Sequence, residues 1–154
     1  NPMGFESARN NSFLSKGNGA TADGLDGSLG WRRNTQSIIV ALSDETSDLT
    51  TGDGKITFRM PYAFILTSLK ASAVTAPTGS AITIDVSESG TTILSTLLTI
   101  DAGEKTSTTA ATPVVISDSE LADDSEIRID VDTVGSTVAG TGLKVSLIGY
   151  KNDE

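Results

Sequence analysis

Apolar and polar positions alternate with a period of two along much of this chain, most cleanly near its C-terminal end. In Glu126-Ile-Arg-Ile-Asp-Val-Asp132, Ile127, Ile129 and Val131 alternate with Arg128, Asp130 and Asp132. Successive side chains of a strand point to opposite faces, so this stretch predicts a strand with one apolar and one charged face. Leu143, Val145 and Leu147 repeat the pattern against Lys144 and Ser146 within Leu143–Tyr150. The link between the two holds Gly135, Gly140 and Gly142, which suit a reversal rather than a helix. The pair is therefore expected to form the back half of an antiparallel sheet with one wet face.

Upstream, Gln36–Leu42 reads as a short, continuously apolar strand, and Ser43–Asp53 as a polar turn region. Lys55–Met60 alternates Ile56, Phe58 and Met60 inward, and Pro61 ends it. Ala63–Ala73 follows as a long strand with Ile65, Leu69 and Ala71 among its apolar positions. Phe58 and Phe64 are expected in the core, with Tyr62 exposed beside Pro61. Ile82, Ile84 and Val86 alternate with Thr83, Asp85 and Ser87, and Ser89-Gly90 turns the chain back into Thr91–Ile100. Ile82–Ile100 is thus the expected β-hairpin. Asp101–Thr112 reads as a polar loop with a short extended piece at Lys105–Ser107. Val114–Ile116 is a brief strand, and Ser117–Ala122 a single helical turn with Ser117 or Asp118 as its N-cap. About eight strands with frequent turn signals give an all-β class: an antiparallel sandwich or jelly roll over residues 36–154.

Residues 1–35 break this pattern. Gly17, Gly19, Gly24, Gly27 and Gly30 interrupt every possible element, which predicts an extended arm. The arm carries Arg9, Lys16, Arg32 and Arg33 against Glu6, Asp23 and Asp26, a net charge of +1. The rest of the chain keeps 7 of the 11 basic and 17 of the 20 acidic residues, a net of −10. Three of the seven aromatics, Phe5, Phe13 and Trp31, also fall in the arm. A solvated linker has no use for spaced aromatics. Two uses remain: packing back onto their own domain, or docking into pockets of a neighbouring subunit or another protein. In the second case Phe5, Phe13 and Trp31 are the apolar anchors, and Arg9, Lys16, Arg32 and Arg33 meet an acidic surface.

The composition removes several classes of chemistry. A formal charge of −9 argues against nucleic-acid binding and against an anionic membrane surface. No apolar run approaches the ~20 residues of a spanning helix, and the start of the chain lacks a signal-peptide layout. With no cysteine and no histidine, disulfides, thiolate metal sites, cysteine nucleophiles and histidine acid–base catalysis are all out. Thr51-Gly-Asp-Gly54 resembles a calcium loop only superficially, because it lacks the neighbouring acids. Paired carboxylates are the only common hydrolytic scheme this composition leaves open, and Asp85 with Asp130 or Asp132 on one wet sheet face is a candidate pair, though exposed strand acids are ordinary. The expectation is no enzyme, no cofactor and no metal.

From Gln36 onward, roughly three-quarters of the chain resembles a β domain found in structural proteins of tailed bacteriophages. The stretches that carry the resemblance are Ile38-Ile-Val-Ala-Leu-Ser-Asp-Glu45, Thr57-Phe-Arg-Met-Pro-Tyr62, Ile100-Asp-Ala-Gly-Glu-Lys-Thr-Ser107 and Gly140-Thr-Gly-Leu-Lys-Val-Ser-Leu-Ile-Gly149. It implies a virion surface protein that decorates or cements the capsid. Its partners would be copies of itself, as a dimer or trimer, and the major capsid protein. The same resemblance also fits a head or tail fibre tip that binds a host receptor or glycan through loops such as Ser43–Asp53 and Ala102–Thr112. It transfers no binding residue.

Overall fold

The computed structural model describes residues 34–153. Eleven strands run through them: β1 (Gln36–Ala41), β2 (Gly52–Arg59), β3 (Phe64–Ser72), β4 (Ile82–Glu88), β5 (Thr91–Thr92), β6 (Leu94–Thr96), β7 (Leu98–Ile100), β8 (Val115–Ile116), β9 (Glu120–Leu121), β10 (Glu126–Thr133) and β11 (Lys144–Lys151). All pairings are antiparallel. One sheet has the order β9-β3-β11-β1, and a second the order β2-β10-β4-β5, with β7 also on β4. β6 and β8 form a separate two-stranded ribbon.

The apolar alternation reads directly into the core. Ile127, Ile129 and Val131 of β10, Ile82, Ile84 and Val86 of β4, Phe64, Leu66, Leu69 and Ala71 of β3, and Val145 and Leu147 of β11 are buried in one cluster. Both sheets contribute to that cluster, so the all-β antiparallel sandwich expected from the pattern is the observed class.

β10 and β11, however, do not pair with each other. Each lies at the centre of a different sheet, β10 between β2 and β4, and β11 between β3 and β1. The glycine-rich link is tied down on its way by bridges Thr78↔Val138 and Thr75↔Thr141, and by the Leu49 N–H donating to the Gly140 carbonyl. It carries the chain from one sheet to the other instead of reversing it within one.

Three other departures have local causes. Thr91–Ile100 is not one strand. The Ser89-Gly90 turn and the β4–β5 pairing form as expected, but adjacent Ile93 and Leu94 are both buried, which one flat strand cannot arrange. The chain kinks there, lends β6 to β8, and returns to β4 as β7. In β3 the register slips at Thr67, whose hydroxyl donates to the Ile148 carbonyl at 3.0 Å. This bulge reverses the phase, so Phe64 and Leu66 face the core and Ile65 does not. Finally, Ser117–Ala122 is not a helical turn: β9 pairs Glu120 with Ile65 and Leu121 with Phe64. The helical geometry falls instead at Ser107–Thr109, where the Thr106 side chain accepts from the Thr108 N–H.

Candidate functional site

The seven residues assigned to partner docking, Phe5, Arg9, Phe13, Lys16, Trp31, Arg32 and Arg33, lie outside the described residues. What the described body presents is a strong division of charge between its two sheets. β1, β3 and β11 together carry Lys70, Lys144 and Lys151 and no acid, and the two-residue β9 at the far edge of their sheet adds Glu120. β2, β4 and β10 carry Asp53, Asp85, Glu88, Glu126, Asp130 and Asp132 against Lys55, Arg59 and Arg128. The overall charge of the body hides this division; counting charges strand by strand was the signal that shows it.

On the acidic sheet, Asp85 and Asp130 stand directly opposite each other in register. Asp130 is only 6 % exposed. Its Oδ1 accepts the Gly54 N–H at 2.6 Å, and its Oδ2 accepts from an Arg128 terminal nitrogen at 2.9 Å. The hydrogen bond to Asp130, then the charge of Asp130, hold the Arg128 guanidinium more firmly protonated than usual. The Arg128 Nε is buried with no partner among the described residues. Asp85 Oδ1 accepts from the Thr92 hydroxyl at 2.5 Å. Partial desolvation, followed by the charges of Asp85, Asp130 and Asp53, pushes the Asp132 carboxyl above its ordinary range.

Chemically this arrangement is a clasp. Asp130 spends its oxygens on Gly54 and Arg128, and Asp85 one of its own on Thr92, so their geometry is that of structural hydrogen bonding. The Thr51–Gly54 stretch is explained the same way. Between Ile129 and Val131 of β10 the β2 register jumps from Ile56 to Gly52, leaving Gly54 in a left-handed turn at φ 61°. Its N–H is the one Asp130 holds. Among the described residues, no three acidic side chains converge as metal ligands.

A second feature is a shallow polar depression of about 390 Å³ lined by Pro61, Tyr62, Ala63, Asp123, Lys151, Asn152 and Asp153. Tyr62, expected to be exposed, is half-buried. Its hydroxyl donates to Gln36 Oε1 at 2.7 Å, and Lys151 Nζ sits 5.6 Å from its ring centre.

The third is the β1 edge of the lysine-bearing sheet, opposite the edge that carries Glu120. β1 pairs only with β11 among the described residues, and Ile39 on it is 65 % exposed. No known family, curated protein or solved structure matches this chain.

Proposed function

We propose that this protein is a structural component of a phage virion, a capsid decoration protein whose N-terminal arm staples it to the shell. The observation that carries the reading is the division of charge. A sheet whose three long strands carry lysines and no acid, with Glu120 on its short far edge β9, and a basic, aromatic arm are the parts of an otherwise acidic chain best able to approach an acidic protein surface. The arm's anchors Phe5, Phe13 and Trp31 would each contribute on the order of 2–3 kcal/mol when fully buried. Arg9, Lys16, Arg32 and Arg33 would steer and orient them. Repetition over many copies turns modest contacts into avidity.

A fibre-tip role is the second reading. The depression beside Tyr62 favours it, because a ring with flanking polar groups suits a sugar.

The test compares the full chain with one lacking residues 1–33 in co-sedimentation with shells of the major capsid protein. The full chain should pellet with shells, and the truncated one should stay in solution while keeping the same β-type circular dichroism. Undiminished decoration by the truncated chain overturns the staple. Binding to host cells or glycans, with no affinity for shells, selects the fibre tip.

A further inference from the structure

Sheet edges offer rows of unpaired backbone groups, and proteins guard them with charge, proline, bulges or brevity. Among the described residues every edge but one is guarded. β2 carries Asp53, Lys55 and Arg59 and the bulge at Gly54. β5 and β9 are two residues long, and β7 three. β1, Gln-Ser-Ile-Ile-Val-Ala, has six residues, no charge, no proline and an unbroken register against β11.

Which backbone groups face outward follows from one hydrogen bond. The Leu42 N–H donates to the Leu143 carbonyl, so Leu42 points its backbone groups at β11. Alternation gives Val40, Ile38 and Gln36 the same direction, and puts the N–H and C=O of Ser37, Ile39 and Ala41 on the open edge.

The occupant this edge fits is a second copy of itself. Elsewhere the body is acidic enough for two copies to repel, but β1 is neutral. The residues beside it on the outer face are Lys144, opposite Ala41, Ser146, opposite Ile39, and Ile148, opposite Ser37, with no acid among them. Side chains stay on matching faces only when residues of the same parity oppose each other. Of the registers that allow this, the one centred on Ile39 uses every outward-facing group. Ser37 faces the partner's Ala41, Ile39 faces the partner's Ile39, and Ala41 faces the partner's Ser37, each pair exchanging both backbone bonds. The register centred on Ile38 leaves Ala41 unused. Centring on Ile39 also covers the exposed Ile39 with its own copy on the outer face, and sets half-buried Ile38 against the partner's Val40 on the inner face.

We infer that the chain dimerises about a twofold axis at Ile39, through antiparallel pairing of β1 that joins the two lysine-bearing sheets into one continuous sheet. The contact is self-complementary, as a twofold interface must be. It uses residues 37–41 alone and so stands apart from the docking assigned to the arm.

Two measurements on the full chain test it. In sedimentation, the wild type should run at twice the chain mass and Ile39→Lys at the chain mass, with unchanged circular dichroism, because the twofold would force two ammonium groups together. In oxidative cross-linking, the cysteine-free chain allows a single thiol per copy. Facing hydrogen-bonded residues lie ~5.5 Å apart at Cα, within disulfide reach. Ile39→Cys should convert most of the protein to a covalent dimer, and Ala102→Cys, in an exposed loop, should not. A monomeric wild type, a dimer that survives Ile39→Lys, or equal cross-linking at both positions overturns the pairing; an edge occupied by some other strand gives the first of these. A dimer that fails to decorate shells counts only against the staple.

Discussion

Asp130 Oδ1 accepts the backbone N–H of Gly54 at 2.6 Å, and through that bond the centre of the acidic sheet holds the bulge of its edge strand in place. The carboxylate is nearly buried, and its other oxygen is taken by Arg128. Asp130→Ala strands both partners, so it should cost ~2–4 kcal/mol in chemical denaturation. Asp130→Asn keeps an acceptor for Gly54 and loses only the ionic contact, and should cost about half as much. Equal losses for the two would mean that the Gly54 bond carries no weight.

Gly149 is required for a different reason. It sits on the inner face of β11 beside the β3 bulge, and a Cβ there would fall 1.9 Å from the Ile65 carbonyl oxygen and 2.9 Å from the Phe64 ring. The first contact is with backbone and cannot be relieved by a rotamer change. Gly149→Ala should lose ~3 kcal/mol or more, read as a lowered denaturation midpoint. Gly90→Ala meets nothing within 4 Å and loses only the strain of its positive φ, ~1 kcal/mol.

The phase of β3 gives a third test. If the Thr67 bulge turns Phe64 inward and Ile65 outward, Phe64→Ala should cost ~3–5 kcal/mol and Ile65→Ala less than ~1.5. A strand without the bulge would place Ile65, in step with Leu69 and Ala71, in the core and reverse that order.

How far the sequence foretold this fold depends on the element. Period-two alternation found β2, β4, β10 and β11 within a few residues, because half-burial is imposed by the same geometry that sets the period; β1 was found from its continuous apolar run, which hid that its burial alternates and leaves Ile39 exposed. It failed wherever the chain leaves that period. Ile93-Leu94 and Thr67 each break the phase, and neither is marked by glycine or proline. Strand pairing was harder still: the alternation of β10 and β11 says that each has an inward face, not that the two inward faces lie in different sheets. Glu120-Leu121 is too short to show any period, and only its partner β3 makes it a strand. Of the candidate site, a shared face for Asp85 with Asp130 or Asp132 was legible, and the register sets Asp130 opposite Asp85. The burial of Asp130 was not, since it depends on a bulge more than seventy residues away. The arm's anchors lie outside the described residues.

The last prediction concerns pH and two carboxylates with opposite signs. Asp132 has a raised folded pKa, from partial desolvation and then Asp85, Asp130 and Asp53. Its favourable contribution is therefore complete below its ordinary value of 3.8 and is lost as pH rises through the higher folded value. Asp44 has a lowered pKa, because its carboxylate accepts the Ser47 N–H at 2.7 Å, the Ser47 hydroxyl at 2.9 Å and the Thr46 N–H at 3.0 Å. Its contribution is present above 3.8 and disappears as pH falls through the lower folded value. At pH 7, Asp132→Asn should raise the melting temperature by ~1–2 °C and Asp44→Ala should lower it slightly, both groups being well solvated. Well below pH 3.8 the protonated wild-type Asp132 no longer repels its neighbours, and the protonated Asp44 no longer holds its turn strongly. Both differences should therefore shrink on acidification, in thermal melts at pH 7 and near pH 3. An Asp132→Asn variant less stable than wild type at pH 7 would show that Asp132 is held by a favourable contact rather than crowded by its neighbours.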